Sequence, residues 1–499
     1  INTTVMDTLK FLFALLIISC SAHPSAGQQD GYMVKSIKSF GAKGDGKTND
    51  HAAFQKAAAF FNARKGNGKL VIEKGTYLVG KQTFIKDNPD KYAGAYTGDA
   101  VLDIHGCSNF TVEGKKGSIL KFNAGLRQGT FSPETGKPFF HDFKDIYNRK
   151  EYRGYRSTAG IAIKISNCDD ITIKGLSLDG NMDGLVLGGT WGIGSNAYEL
   201  EHYGIYILDA SHINLNNLYI HHFAVDGICI INKGQERKTT GITLSDSQVN
   251  YPGRNGLSWV GGDSVSVYRC SFENSARGKI SESPAAGMDI EVENNSFCTN
   301  GYFEDCRFIG SKGSALTSGS KEKSKNMRFK NCTFASPLYY TIVVDAPFHV
   351  FEDCKFYGSV LVWQRATTKE DATYFKQCSF EETYKGIKMY DARYLFGAEA
   401  TGIYFDSCQF NAQTTACFYL ASHADNCDEG NPQKFFLKNC LFKNTATTQL
   451  ALAPTVAGIA HHSEFTNCRF YAHKGYTWEI NYKGNCFANR GGNQFYQIP

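Results

Sequence analysis

The part of this sequence richest in chemistry is one short acidic run, Met288-Asp-Ile-Glu-Val-Glu293. On an extended strand its alternation sends Met288, Ile290 and Val292 to one side and Asp289, Glu291 and Glu293 to the other. Side chains two residues apart on one face lie roughly 6 to 7 Å apart at their Cα atoms, close to the separation of the carboxyl pair in glycosidases. Asp289 and Glu291 are therefore the candidate acid and base, with Asp226 as a further carboxylate. A second reading makes Asp289, Glu291 and Glu293 a cradle for Ca²⁺, a hard cation that gathers oxygen ligands. A base drawn from Arg254, Lys312, Tyr251 or His222 would then remove a proton from the substrate. The first reading requires no cofactor and is preferred, with Ca²⁺ as the alternative. The bland reading, a solvated strand face, leaves three like charges repelling unless a cation, a raised pKa or full hydration relieves them.

Four segments of similar form place these residues: Val225-Asp-Gly-Ile-Cys-Ile230, Arg254-Asn-Gly-Leu-Ser-Trp259, Ala286-Gly-Met-Asp-Ile-Glu-Val-Glu293 and Lys312-Gly-Ser-Ala-Leu-Thr317. Stacking them on Gly227, Gly256, Gly287 and Gly313 sets Cys229, Ser258 and Ala315 beside Asp289, and Thr317 beside Glu291. Short neighbours leave room for a sugar over Asp289 and Glu291, while Glu293, near Asn294-Asn295, is expected to be peripheral. The longest connections, 123–160, 179–203 and 273–286, gather around this face, and long loops on one side of a solenoid usually build its binding site. Trp191, Tyr251, Asn255, Lys312 and His222 are the expected substrate-binding residues.

The framework is a repeat. Eight times the chain spells Cys-x-Phe, at Cys270, Cys306, Cys332, Cys354, Cys378, Cys408, Cys440 and Cys468, each after a polar residue and three positions after an apolar one. Intervals of 22 to 36 residues suit a coil of short strands with variable turns. Period-two alternation rich in Phe, Val, Ile and Thr marks the units as strands. Equivalent positions then stack about 4.8 Å apart, giving interior ladders of Cys and Phe. Core packing explains the regular cysteines better than zinc, which takes closely clustered ligands.

Ahead of the repeats stand Phe40-Gly-Ala-Lys-Gly-Asp-Gly-Lys-Thr-Asn-Asp50, an Ala-rich amphipathic run over 51–64, and Lys69-Leu-Val-Ile-Glu-Lys-Gly-Thr-Tyr-Leu-Val79. Asn49 or Asp50 is the expected N-cap of one helix, which covers the open end of the coil. In these residues the chain resembles the pectate lyase superfamily, in the branch that includes polygalacturonase-like enzymes and phage tailspike depolymerases. The resemblance implies an all-β solenoid, a single-stranded right-handed parallel β-helix with an N-terminal capping helix, acting on polysaccharide. Lyases, hydrolases, epimerases and binding proteins share that cap, so it speaks for fold more than for reaction. The polygalacturonase residues Asn-Thr-Asp, Asp-Asp, Gly-His-Gly and Arg-Ile-Lys do not carry over, since only Asp169-Asp170 is present. The Arg-x-Pro-x-x-Arg segment of classical pectate lyases is absent as well.

Composition narrows the partners. The chain has 499 residues, 42% of them hydrophobic, and a formal charge of +5. It has ample core material and no Lys/Arg block directed at nucleic acid or an anionic membrane. Near the start, Met6, Lys10 and the apolar run Phe11-Leu-Phe-Ala-Leu-Leu-Ile-Ile18 read as a secretory signal too short to span a bilayer. Cleavage after Gly27 and a lipid anchor on Cys20 both remain open. The expected organisation is residues 1–27 as upstream residues plus signal, and 28–499 as one β-helix domain with its cap over about 35–80. The protein is expected to be secreted, periplasmic or lipid-anchored at the cell surface. A glycosidase using paired carboxylates comes first, a Ca²⁺-dependent lyase or epimerase second, and a non-catalytic adhesive β-helix third.

Overall fold

In the computed structural model the described residues are 31–498, apart from 87–94, 140–153, 190–198, 237, 320–322, 364–370, 399–401, 415, 421–434, 446–455, 459–462, 474–486 and 490. The expected signal, Cys20 and Trp191 lie outside them. Short strands wind into a right-handed parallel β-helix with three long faces. Among the described residues the first face runs from Met33–Ser36 to Phe487–Asn489 in 15 strands. The second runs from Asp45–Asn49 to Gln494–Ile498 in 15 strands, and the third from Leu102–His105 to Val456–Gly458 in 12. Within each face neighbouring strands come from successive coils, as Phe303 pairs with Phe329 and Phe329 with Phe351.

Each Cys-x-Phe unit is the corner between the first and second faces. The polar residue before the cysteine is left-handed at every repeat, with φ between 50° and 58° from Arg269 and Asp305 through Asn467. A left-handed residue between two strands turns the chain sharply while the flanking side chains still point inward. Asn and Asp tolerate this best because their short polar side chains bond locally. The following thiol is buried and donates to the carbonyl of the coil before. Sγ of Cys306, Cys332, Cys354, Cys378, Cys408 and Cys468 lies 3.3–3.5 Å from such an oxygen. Beside it the phenyl rings from Phe272 to Phe470 stack at 4.6–5.2 Å with planes within 10°. Every ladder cysteine is buried and free.

The cap is as the sequence leads one to expect, with one difference. The helix His51–Ala63 lays Ala53, Phe54, Ala57, Ala58 and Phe61 over the first coil. Asp50 occupies the N-cap position but spends its carboxylate on the glycine-rich turn, accepting from Lys43 N at 2.7 Å and Gly44 N at 2.9 Å. The first helical N–H, that of His51, goes to Asn49 Oδ1 at 3.0 Å. Among the described residues no helix is long and apolar enough to cross a membrane.

Two outcomes test this packing. The eight ladder thiols should resist labelling in the native protein and react after denaturation without reductant; a requirement for reductant would mean disulfides. Phe356→Ala should cost about 3 to 5 kcal/mol in denaturant melts, the range for deleting a buried Phe. Phe356 is fully buried between Phe334 and Phe380, so a loss below about 1 kcal/mol would contradict the stacked ladder.

Candidate functional site

Outward side chains of the third face form a row from coil to coil: Lys164, Tyr206, Cys229, Ser258, Asp289, Thr317. The register corrects one expectation. Gly227, Gly256 and Gly287 stack as the sequence suggests, but the next strand is displaced by two residues, so Asp289 sits beside Thr317 and not Ala315. Gly313 belongs to the turn, where an added Cβ would run into Pro284 O. The fourth strand therefore starts later than its glycine implies.

The acidic run also departs from ideal alternation. The strand is Met288–Ile290 and stops before Glu291. The Glu291 N–H bonds to Trp259 O and that of Glu293 to Val260 O, so the three carboxylates do not form one even row. Asp289 faces away from the core yet is buried, 5% exposed. The space expected for a sugar above it is filled. Among the described residues, Asp289, Glu291 and Glu293 do not bring their oxygens together as a metal-ligating group.

The open space lies two coils earlier. A cavity of about 480 Å³ has Tyr206, Cys229, Ile231 and Val260 at its base. Its walls include Tyr203, Glu199 and Glu201, together with Tyr96, Thr97 and Arg156 from a small side sheet. That five-stranded sheet joins Gln82–Phe84, Tyr96–Gly98, Arg127–Thr130, Arg156–Ser157 and Val186–Gly188. Arg254, Glu293, Asn294 and Lys233 also line it. Glu293, expected at the periphery, is thus a cavity residue, because the chain turns after Ile290 and carries it back across the face.

A buried polar network supports one wall. Arg254 makes a bidentate pair with Asp226, Nε to Oδ1 at 2.8 Å and Nη2 to Oδ2 at 2.7 Å, and its Nη1 reaches Glu199 Oε1 at 2.6 Å. Asp226, fully buried, also accepts the Asn255 N–H at 3.1 Å. The Asn255 side-chain amide donates to Ser258 Oγ at 3.0 Å and to Asp289 Oδ2 at 3.3 Å. Its oxygen accepts from Ala286 N at 2.9 Å. Planar fork geometry makes the arginine–carboxylate pair specific, and losing one member would leave the other charged and unpaired.

These contacts reassign several expected roles. Asp226 has its carboxylate engaged by Arg254 and Asn255 and lies beneath the cavity wall, outside the lining. Burial would lower the Arg254 guanidinium, but its carboxylate partners Asp226 and Glu199 outweigh it and raise the group above the ordinary arginine range, so it sits in the wall as a cation. Asn255 supports the wall from beneath and does not line the cavity. Lys312 donates to Ser281 Oγ at 3.0 Å, outside the lining. His222 and Tyr251 stack on each other at 5.3 Å at the corner beyond the second face, also outside it. Glu199 was not legible in the sequence, because its pairing with Arg254 spans 55 residues and follows no local pattern.

The electrostatics divide the carboxyls. Burial, then repulsion from Glu291, pushes Asp289 up to about 7. Burial, and next the neighbouring Glu199, raises Glu293 above the ordinary glutamate value. Burial holds the Tyr203 hydroxyl and the Cys229 thiol in their neutral forms.

Comparison with known proteins agrees with the architecture. Residues 157–360 match the family model described as right handed beta helix region, and residues 34–251 match that of rhamnogalacturonase A/epimerase, pectate lyase-like. No curated protein matches the chain. Among solved structures, the A-module of Azotobacter vinelandii mannuronan C-5 epimerase AlgE4 is 13% identical, covering 91% of this chain and 100% of that one, with a TM-score of 0.50. The AlgE6 A-module from the same organism is 12% identical over 93% and 99% of the two chains, with a TM-score of 0.46. PfbA, a surface adhesin of Streptococcus pneumoniae, is 11% identical over 87% and 92%, with a TM-score of 0.40. At 13% identity the likeness to the AlgE4 A-module is one of fold alone.

Asp289 also makes stability depend on pH. The native state keeps its proton up to about pH 7, whereas an unfolded aspartate releases it near its ordinary value of 3.8. Its protonation therefore favours the fold below about pH 4, and that advantage is lost as pH rises to about 7. The span corresponds to on the order of 4 kcal/mol. Denaturant melts from pH 4 to 8 should show wild type losing stability relative to Asp289→Asn. Parallel curves would mean that Asp289 is not the buried proton carrier.

Proposed function

We propose, for a chain with the fold of the pectate-lyase-like right-handed β-helix proteins, an enzyme that cleaves polysaccharide by acid–base catalysis in the cavity on its third face. Glu293 is the proton donor and Glu199 its partner carboxylate. One observation carries this reading: of the three carboxyl groups that line one walled cavity, Glu199, Glu201 and Glu293, the last is pushed toward its protonated form beside Glu199, which is ion-paired. Burial and Glu199 push Glu293 toward its protonated form, while Glu199 is paired with Arg254 at 2.6 Å. Burial lets Glu293 hold a proton for donation, and the ion-paired Glu199 stands in the same cavity. Asp226 and the buried Arg254 act indirectly by fixing Glu199. Tyr96, Tyr203 and Tyr206 bring aromatic surface into the same cavity, suited to the apolar faces of sugar rings. The finer assignment is glycoside hydrolysis, and an exported protein would meet such polymers outside the cytoplasm.

The test is a screen of purified protein against plant, algal and bacterial polysaccharides, following reducing ends and absorbance near 235 nm together. Reducing ends alone are expected; a parallel rise in absorbance would move the assignment to elimination, and binding without turnover to an adhesive role. On the best substrate Glu293→Gln and Glu199→Gln should each lower kcat by about 10² to 10⁴-fold, the usual contribution of a positioned acid or base. Melting temperature should change little in Glu293→Gln, and Glu291→Gln should keep turnover close to wild type. Because Glu293 must be protonated to donate, activity should fall as pH rises through its elevated pKa. Wild-type turnover in both variants would place the chemistry elsewhere, and loss on chelation with recovery in Ca²⁺ would favour the metal-dependent lyase.

A further inference from the structure

Away from the cavity, on the outer side of the second face, three side chains converge that the proposed chemistry does not use. Asp179 and His221 are register partners on adjacent coils. His222 follows His221, and successive strand residues ordinarily point to opposite sides. Here the strand Tyr219–His221 ends, and His222 takes a left-handed backbone with φ 56°, which swings its ring back. The two Nδ1 atoms come within 2.8 Å of each other, and His221 Nδ1 lies 3.7 Å from Asp179 Oδ1. One ligand atom from each of the three residues lies within 4.8 Å of the others.

The surroundings hold this arrangement in place. Tyr219 packs on the His221 ring with centroids 4.4 Å apart, and Tyr251 stacks on His222 at 5.3 Å with planes 16° apart. Asp179 receives the Asn181 N–H on Oδ1 at 2.8 Å, and Lys121 lies 3.2 Å from Oδ2. His221 and Asp179 keep only 15% and 14% of their side chains exposed. Two imidazole nitrogens facing each other can share one proton between them, whereas a cation placed between them and the carboxylate would use both lone pairs.

We infer that Asp179, His221 and His222 form a binding site for a divalent transition metal of the Zn²⁺ class, clipping two adjacent coils together. Two imidazole nitrogens and one carboxylate oxygen form a donor set for Zn²⁺ or its neighbours, while Ca²⁺ and Mg²⁺ favour all-oxygen shells. Three protein ligands leave a coordination position for water. The site lies outside the cavity lining, so it stands or falls independently of the carboxyl chemistry there.

Calorimetric titration of Zn²⁺ into tag-free, chelator-stripped full-length protein tests the inference. One ion per chain should bind, with a rise in melting temperature, and Co²⁺ should give a visible spectrum of mixed nitrogen and oxygen ligation. His221→Ala, His222→Ala and Asp179→Asn should each weaken binding by about tenfold or more. His212→Ala, which removes a histidine paired with Asp169 at 2.6 Å elsewhere, should leave it unchanged. If His222→Ala does not fold, as judged by circular dichroism, His222→Gln gives the same reading with bulk retained. Absence of stoichiometric binding, or binding that survives loss of both histidines, overturns the site.

Discussion

The molecule depends on one repeated corner. In every Cys-x-Phe unit a left-handed residue turns the chain from the first face into the second, and a buried thiol and phenyl ring follow at once. A non-glycine residue in that conformation costs energy by itself. The cost recurs because each corner stacks on the one below. The thiol reaches the carbonyl of the coil before, and the ring lies flat on its predecessor. Neither contact exists in a single coil, so stability belongs to neighbouring pairs and propagates along the axis, as in other solenoids.

The ladder changes character where the cavity lies. At the equivalent corner the earlier coils carry Leu218 after Asn217 and Ser247 after Asp246, with the same left-handed backbone. Ser247 Oγ receives the Leu218 N–H at 3.0 Å and donates to Ser245 O at 2.7 Å. The corner thus tolerates exchange of its side chain provided the backbone turn and its hydrogen bonds survive. That rigidity lets the opposite face carry buried charges. Asp226, Arg254, Asn255 and Asp289 form a connected polar network, which is stable only when each member keeps its partners.

Such a network also explains how a regular scaffold supports an irregular site. The strands fix the spacing of Tyr206, Cys229 and Ser258 to that of the sheet. The turns between faces vary in length, and they supply Glu199, Arg254 and Glu293. Arg254 joins a turn residue to a carboxylate one coil away, tying variable segments to the invariant frame. Functional groups thus sit where the repeat is interrupted, and the repeat supplies their foundation.

What the sequence determined by itself follows from periodicity. Alternating apolar residues and the recurrent Cys-x-Phe specify strand and inward direction, because each depends only on near neighbours along the chain, whereas the corner at the polar residue before each cysteine came from the structure. The capping helix was legible for the same reason, as were free core thiols. The placement of Cys229, Ser258 and Asp289 in one row followed from their glycines. The tertiary structure alone decided the rest. Only the path of the turn before Leu316 could show that Thr317, not Ala315, neighbours Asp289. The strand's end at Ile290 brought Glu293 into the cavity, and coverage of the outer face buried Asp289. Glu199 became visible only through Arg254, 55 residues away. A site assembled from turns on different coils depends on how those coils stack, and local spacing carries no record of that distance.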